Sequence, residues 1–192
     1  MKLSRKISAG VSREIASKTP TYVLTDDVRI ASVFQNTSVI IDDTDYANGT
    51  ERCAGASKLD YMQKYDQFIN VQGDMPDVTL QMIERCIEWL QYYPVSTVFT
   101  DMPEEMQNDP NSVKMVKAGD QALWFGRGMT GYGEWHLGIY GYRRDALNLY
   151  PSLEITQEET IEQLEQLRWL KSGWQIGCSS VYFKGVEINS PE

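Results

Sequence analysis

The sequence predicts an α/β fold, and three observations carry that reading. Short β-rich runs alternate with helical patterns along the 192 residues. The apolar run through Phe68 and Val71 stops at Gln72-Gly73-Asp74 and leads into a long amphipathic pattern. No repeat, low-complexity tract or linker interrupts the alternation. Strands bounded by turn residues and followed by helices are the building units of α/β sheets. One domain over residues 1–192 is the economical organisation for this length and composition.

The elements follow in order. Tyr22 to Leu24 reads as a short strand ending in Thr25-Asp26-Asp27. Val28, Ile30, Ala31 and Phe34 then show helical spacing, with Asp27 at the positive N-terminal end. Val39 to Ile41 is the next strand, Thr50 to about Lys58 a helix, and Phe68 to Val71 a strand. Val78 to Tyr92 is an amphipathic helix stopped near Pro94, and Val95 to Phe99 a strand. The acidic, proline-containing stretch Asp101 to Pro110 is a loop. Val113 to Val116 and Ala122 to Phe125 flank Ala118-Gly119-Asp120, a hairpin signal. Trp135 to Tyr142 reads as a strand and Ile161 to Leu170 as a helix closed by Gly173. Gln175 to Cys178 and Val186 to Ile188 are late strands.

Composition excludes several classes. Hydrophobic content of 42% with 11% aromatics is globular. A net charge of −9 argues against nucleic-acid binding, which needs clustered Lys and Arg, and a polyanionic ligand would need a metal ion to bring it in. Cys53, Cys86 and Cys178 have no CxxC spacing and leave an odd thiol, which suits a reducing compartment. No stretch approaches the roughly 18 apolar residues of a membrane span. A soluble, cytoplasmic protein is expected.

Ligands of open α/β sheets bind beyond the carboxyl ends of the strands. Asp74, at such an end between a permissive glycine and a turn-forming Met75-Pro76, is therefore a candidate metal ligand; an ordinary strand exit has the same pattern. Gly126-Arg127-Gly128-Met129-Thr130-Gly131 spells a dinucleotide fingerprint but opens onto a strand, where the fingerprint requires a helix N-terminus. His136 is the sole histidine, so multi-histidine metal sites are excluded. Alternation places His136, Gly138 and Tyr140 on one strand face and Leu137 and Ile139 on the other. A buried structural histidine and a hydroxyl- or carboxylate-recognising one both fit that pattern. Glu162, Glu165 and Gln166 lie beside the apolar stripe Ile161, Leu164, Leu167 and Leu170, as solvated or as ligand-facing polar groups.

Seven collinear segments resemble the 3-deoxy-manno-octulosonate cytidylyltransferases, the CMP-Kdo synthetases. They begin with Thr25-Asp26-Asp27-Val28-Arg29-Ile30-Ala31, Asn48-Gly49-Thr50-Glu51-Arg52 and Asn70-Val71-Gln72-Gly73-Asp74-Met75-Pro76. Asp109-Pro110-Asn111-Ser112-Val113-Lys114 and Ala122-Leu123-Trp124-Phe125-Gly126-Arg127 follow. His136-Leu137-Gly138-Ile139-Tyr140-Gly141-Tyr142-Arg143-Arg144 and Ile161-Glu162-Gln163-Leu164-Glu165-Gln166-Leu167-Arg168 complete the series. The resemblance implies a Rossmann-like, glycosyltransferase-A-type nucleotidyltransferase sheet. It implies an enzyme that couples CTP to a 3-deoxy sugar acid of the Kdo type, giving a CMP-sugar and pyrophosphate, as a homodimer and with Mg2+ as cofactor. By the same resemblance Asp74 is the catalytic metal ligand with Gln72 beside it. Thr25, Asp26, Thr50 and Arg52 border the nucleotide, and Arg127, His136, Tyr140, Glu162 and Gln166 form the sugar-acid pocket.

Two departures qualify this. The family's opening strand and basic loop, I-P-A-R-x-x-S-x-R-x-P-G-K-P, have no counterpart, and Met1 to Lys6 falls where that loop ends. The expected sheet is thus truncated at its N-terminus, with the edges of the neighbouring strands open unless another segment pairs with them. Where the family shows Gly-Val-Asp-Thr-Pro-Glu, with that Asp as the second metal ligand, this chain reads Val186-Glu187-Ile188-Asn189-Ser190-Pro191-Glu192. Asn189 offers an oxygen without a charge. Slow turnover, completion by another polypeptide, and a non-catalytic homologue acting as a nucleotide-binding, sugar-acid-binding or interaction module are the expectations that follow.

Overall fold

The computed structural model describes residues 18–34, 38–73, 75 and 77–185. Strand β1 (Tyr22–Thr25) leads through the short helix α1 (Val28–Ala31) to β2 (Ser38–Ile41), and the two strands pair in parallel with Tyr22 opposite Ser38. Asp27 caps α1 by accepting from the Arg29 N–H. Helix α2 (Gly49–Ser57) starts at Asn48, whose side chain accepts from the Glu51 N–H. Then come β3 (Gln67–Val71), helix α3 (Leu80–Trp89) capped by Thr79, and β4 (Val95–Thr100), buried along its whole length.

The second half adds a hairpin, a long strand and a returning strand, with helices attached. Strands β5 (Lys114–Ala118) and β6 (Gln121–Gly126) form the hairpin expected at Gly119, which sits at φ +60°, where a glycine is favoured. The ten-residue β7 (Glu134–Arg143) follows, then α4 (Arg144–Leu149), α5 (Gln157–Glu162), α6 (Leu167–Lys171) and β8 (Ile176–Ser180). Strand order in the main sheet is β3-β7-β4-β8-β6-β5, mixed in direction. The start of β7 also pairs with β5, Lys114 opposite Trp135, so the long strand serves both ends of the sheet. One core packs Phe125, Tyr140, Tyr142, Tyr150 and Trp169 on one side of the sheet. The other packs Met82 and Ile83 of α3 against Val98, Leu137 and Ile139 on the opposite side. The alternation expected for β7 is therefore realised.

Two findings depart from the sequence reading. The helix expected over Ile161 to Leu170 is broken: Gln163 adopts a left-handed conformation, φ 54° and ψ 47°, and separates α5 from α6. The apolar stripe continues across the break because Leu164 and Leu167 are both buried, so periodicity concealed it. Helix α4 was not anticipated; its N-cap, Arg143, makes no side-chain capping bond, and no cap signal announces it. The strand expected over Val186 to Ile188 lies outside the described residues.

The β1–β2 pair is a separate sheet. A cleft of about 910 Å³ lies between β1 and β3, lined by both strands and by Ile30, Phe34, Ile83 and Ile87. Tyr22 and Tyr65 meet across one end, hydroxyl to hydroxyl at 3.3 Å, and β1 and β3 both run away from that contact.

Candidate active site

Beyond the C-terminal end of β3 the large cleft adjoins a second crevice of about 470 Å³, and Gly49, Gln72 and Met75 line both. This junction is where ligands of α/β sheets are expected. Gln72 follows β3 directly, and its carbonyl accepts from the Met75 N–H at 3.2 Å, closing a turn. Its side chain lies over Gly138, where an added Cβ would sit 3.5 Å from Gln72 Oε1. Asp74 lies outside the described residues, as does Asn189.

Thr25, Gly49 and Arg52 line the large cleft. Thr25 is buried and its hydroxyl accepts from the Asp27 N–H. Arg52 reaches Asp26 Oδ2 at 3.5 Å and stacks on Tyr46, 5.5 Å from the ring centre. Thr50 turns the other way. It is 1% exposed, its hydroxyl meets the Tyr142 hydroxyl at 2.9 Å, and its N–H donates to Glu165 Oε2 at 3.0 Å. Its side chain is a core group behind the crevice.

Arg127, His136, Tyr140, Glu165 and Gln166 all line the smaller crevice. His136 is 3% exposed, with Nε2 2.9 Å from Thr97 Oγ1 and Nδ1 accepting from the Gly138 N–H at 3.3 Å. An amide can only donate, so Nδ1 carries the lone pair and Nε2 the proton. The Thr97 hydroxyl passes its own proton to the Ile139 carbonyl at 2.7 Å. Burial, reinforced by the charge of Arg127, pushes the His136 pKa down to about 3. The ring is thus neutral with both nitrogens engaged, and it holds the β7 kink at Gly138, φ +63°.

Tyr140 presents a buried hydroxyl with no partner among the described residues, and the Asn70 amide nitrogen is in the same state. Asn70 was not anticipated as a site residue, although an amide inside the apolar run Phe68-Ile69-Asn70-Val71 was a signal. Glu165 and Glu159 are the acids that line the crevice, Glu159 paired with Arg168; burial pushes the Glu165 carboxyl above the ordinary value against the opposing pull of the Thr50 N–H. Glu162 lies apart, its Oε2 accepting from the Arg127 N–H at 2.7 Å and the Gly128 N–H at 3.4 Å. The helix break at Gln163 is what separates Glu162 from Glu165 and Gln166. The Gly126–Gly131 run is the connection from β6 to β7, with no helix behind it.

Among the described residues no three His, Cys, Asp or Glu side chains gather as a metal cage. Magnesium does not require one, because it commonly takes one or two carboxylates and completes its shell with phosphate oxygens and water. Among the described residues the strand end offers the Gln72 amide oxygen, a neutral donor that fits such a shell only beside a nucleotide's phosphates. No helix among the described residues is long and apolar enough to cross a membrane.

The chain matches the family model described as cytidylyltransferase over residues 7–176. It is 35% identical over 182 residues to the 3-deoxy-manno-octulosonate cytidylyltransferase of Rickettsia typhi, covering 90% of this chain and 76% of that protein. It is 33% identical over 187 residues to the 8-amino-3,8-dideoxy-manno-octulosonate cytidylyltransferase of Shewanella halifaxensis, covering 89% and 76%. Among solved structures, a CMP:2-keto-3-deoxy-manno-octonic acid synthetase complexed with CTP superposes with a TM-score of 0.85 at 27% identity, over 98% of this chain and 83% of that one. The inositol-1-phosphate CTP transferase of T. maritima shares the fold, with a TM-score of 0.61 at 9% identity over 91% of this chain and 71% of that one.

Proposed function

We propose that this chain, which belongs to the cytidylyltransferase family, joins CTP to a 3-deoxy-octulosonate sugar acid, giving a CMP-sugar and pyrophosphate. The observation that carries this reading is the likeness in sequence and fold to synthetases of this kind over about nine-tenths of the chain. The two contiguous cavities at the end of β3 support it, because the reaction must hold two anions side by side.

In the proposed arrangement the nucleotide lies at the end of the large cleft beside Thr25, Asp26 and Arg52, and the sugar acid occupies the smaller crevice. A sugar hydroxyl attacks the α-phosphorus of CTP in line as the bond to the pyrophosphate oxygen breaks, so the protein chiefly positions the partners and balances charge. The Arg127 guanidinium suits the sugar carboxylate. Glu165 and Gln166 accept from sugar hydroxyls and the Tyr140 donor awaits an acceptor there, while the Asn70 amide faces the large cleft. Asp74, with Asn189 as a second oxygen donor, would hold Mg2+, which when bound neutralises and orients the phosphates. The three thiols at Cys53, Cys86 and Cys178 are free, which suits a reducing compartment, and we place the enzyme in the cytoplasm. One folded unit over residues 1–192, assembled as a homodimer, is part of the same reading.

The test is pyrophosphate release from CTP with 3-deoxy-manno-octulosonate or its 8-amino analogue, in parallel with calorimetry of CTP with and without magnesium. Release that depends on one of these sugars is expected. Asp74→Asn should remove the magnesium-dependent part of CTP binding and lower the rate by about 10²- to 10³-fold, the usual cost of one preorganised charge-stabilising group. Tight CTP binding without release would leave a binding module, and unchanged magnesium dependence in Asp74→Asn would remove Asp74 from the metal site.

A further inference from the structure

We propose that Lys114 is a positioning residue, whose buried ammonium clamps the loop carrying Arg127 to the loop before β5 and so preorganises the carboxylate-binding end of the smaller crevice. The role of Arg127 in this statement rests on the proposed function; the clamp itself rests on geometry.

Lys114 opens β5 and is fully buried, 0% exposed. A buried ammonium is tolerated only where acceptors meet it. Here Nζ donates to the Asp109 carbonyl, with the Arg127 carbonyl 3.3 Å away as a second acceptor. These carbonyls belong to two separate loops, one ahead of β5 and one behind β6. A residue that merely filled space would be served by an apolar side chain, whereas this one joins two loop backbones.

Arg127 is held from three sides. Its N–H donates to Glu162 Oε2 at 2.7 Å, its carbonyl accepts from Lys114, and its guanidinium Nη1 donates to the Asn111 carbonyl at 2.7 Å. Asn111 in turn belongs to the loop that Lys114 grips at Asp109, and its own N–H donates to Asp109 Oδ1 at 2.8 Å. The far end of the Arg127 loop is pinned as well. Gly133 sits at φ +101° with so little room that a Cβ would lie 3.1 Å from Lys114 Cβ and 3.2 Å from the Met115 carbonyl. The backbone of Arg127 is therefore fixed while its half-buried guanidinium holds a single loop carbonyl. That bond can be exchanged for a carboxylate without moving the chain, which lowers the ordering cost of binding. Glu162 belongs to the same device, because its carboxylate is spent on the Arg127 and Gly128 amides.

The experiment compares Lys114→Met, Glu162→Ala and Glu162→Gln with the wild type. Amide hydrogen exchange over residues 124–131 should quicken in Lys114→Met and Glu162→Ala, and less in Glu162→Gln, which keeps an acceptor; the amides of β4 should not change. KM for the sugar acid should rise about tenfold, the worth of one charge-assisted hydrogen bond, while KM for CTP stays within about twofold. Unchanged exchange over the loop in a folded variant would overturn the proposal, as would equal losses for both substrates. Should Lys114→Met fail to fold, the Glu162 pair decides by the same readouts. If the wild type neither binds nor converts a sugar acid, the proposed function fails while the exchange data still judge the clamp.

Discussion

A histidine enclosed by protein and bonded at both ring nitrogens resists protonation, because a second ring proton would meet the Gly138 N–H head on. His136 is in that position, with a pKa near 3 in the folded chain against an ordinary 6.5. The unfolded chain therefore binds a proton between these values and the folded chain does not. Stability from this residue is fully present above pH 6.5 and is lost as the pH falls toward 3, by about 1.4 kcal/mol per unit. Between pH 7 and pH 5 this amounts to about 2 kcal/mol. Urea unfolding at the two pH values should show this loss in the wild type and lack that part of it in His136→Gln; equal slopes for the two proteins would refute the argument. Sequence alone could not choose between the structural and the ligand-binding histidine, since strand alternation is the same for both. The decisive partner, Thr97, lies on a neighbouring strand 39 residues away in the chain.

Elements at the edge of the crevice are joined by one buried cation. Arg168 on α6 donates through Nη2 and Nε to Glu159 on α5, at 2.6 and 2.8 Å, and through Nη1 to Glu51 on α2 at 2.9 Å. Its guanidinium also lies 4.4 Å over the Tyr150 ring. This junction fixes α5 and α6 to each other across the break at Gln163, and to the start of α2. Arg168→Met would leave Glu159 buried without its partner and should cost about 3–5 kcal/mol of stability, read as a lower urea midpoint at an unchanged slope. A loss below about 0.5 kcal/mol would mean that surface-like pairing suffices there. The strands among the described residues were legible to within a residue or two, because apolar runs and turn residues mark them locally. The α5–α6 break was not, since Glu162-Gln163-Leu164 contains neither glycine nor proline and the stripe of leucines runs through it. The same break decides that Glu165 faces the crevice while Glu162 does not, a distinction that helical periodicity could not make.

At the scale of the molecule, cohesion is unequal. β4 is buried throughout and hydrogen-bonded to β7 and β8, whereas among the described residues β1 and β2 pair only with each other. The cleft of about 910 Å³ keeps β1 from β3, and the β1–β2 pair is tied to the rest by Tyr22 against Tyr61 and Tyr65 and by Arg52 of α2, which reaches Asp26 and the Asp42 carbonyl. A two-stranded unit is marginal by itself. Local opening should therefore begin there, and the amides of β1 and β2 should exchange faster than those of β4 and β7. Thr25 and Asp26, at the end of β1, border the proposed nucleotide site, so saturating CTP with magnesium should slow exchange in β1 and β2 by mass action, while β4 changes little. Mass-spectrometric exchange with and without the nucleotide measures both effects. Protection of β1 and β2 equal to that of β4 in the free protein would show that the cleft does not weaken the sheet. Slowing confined to β4 and β7 would place the nucleotide elsewhere than at the end of β1.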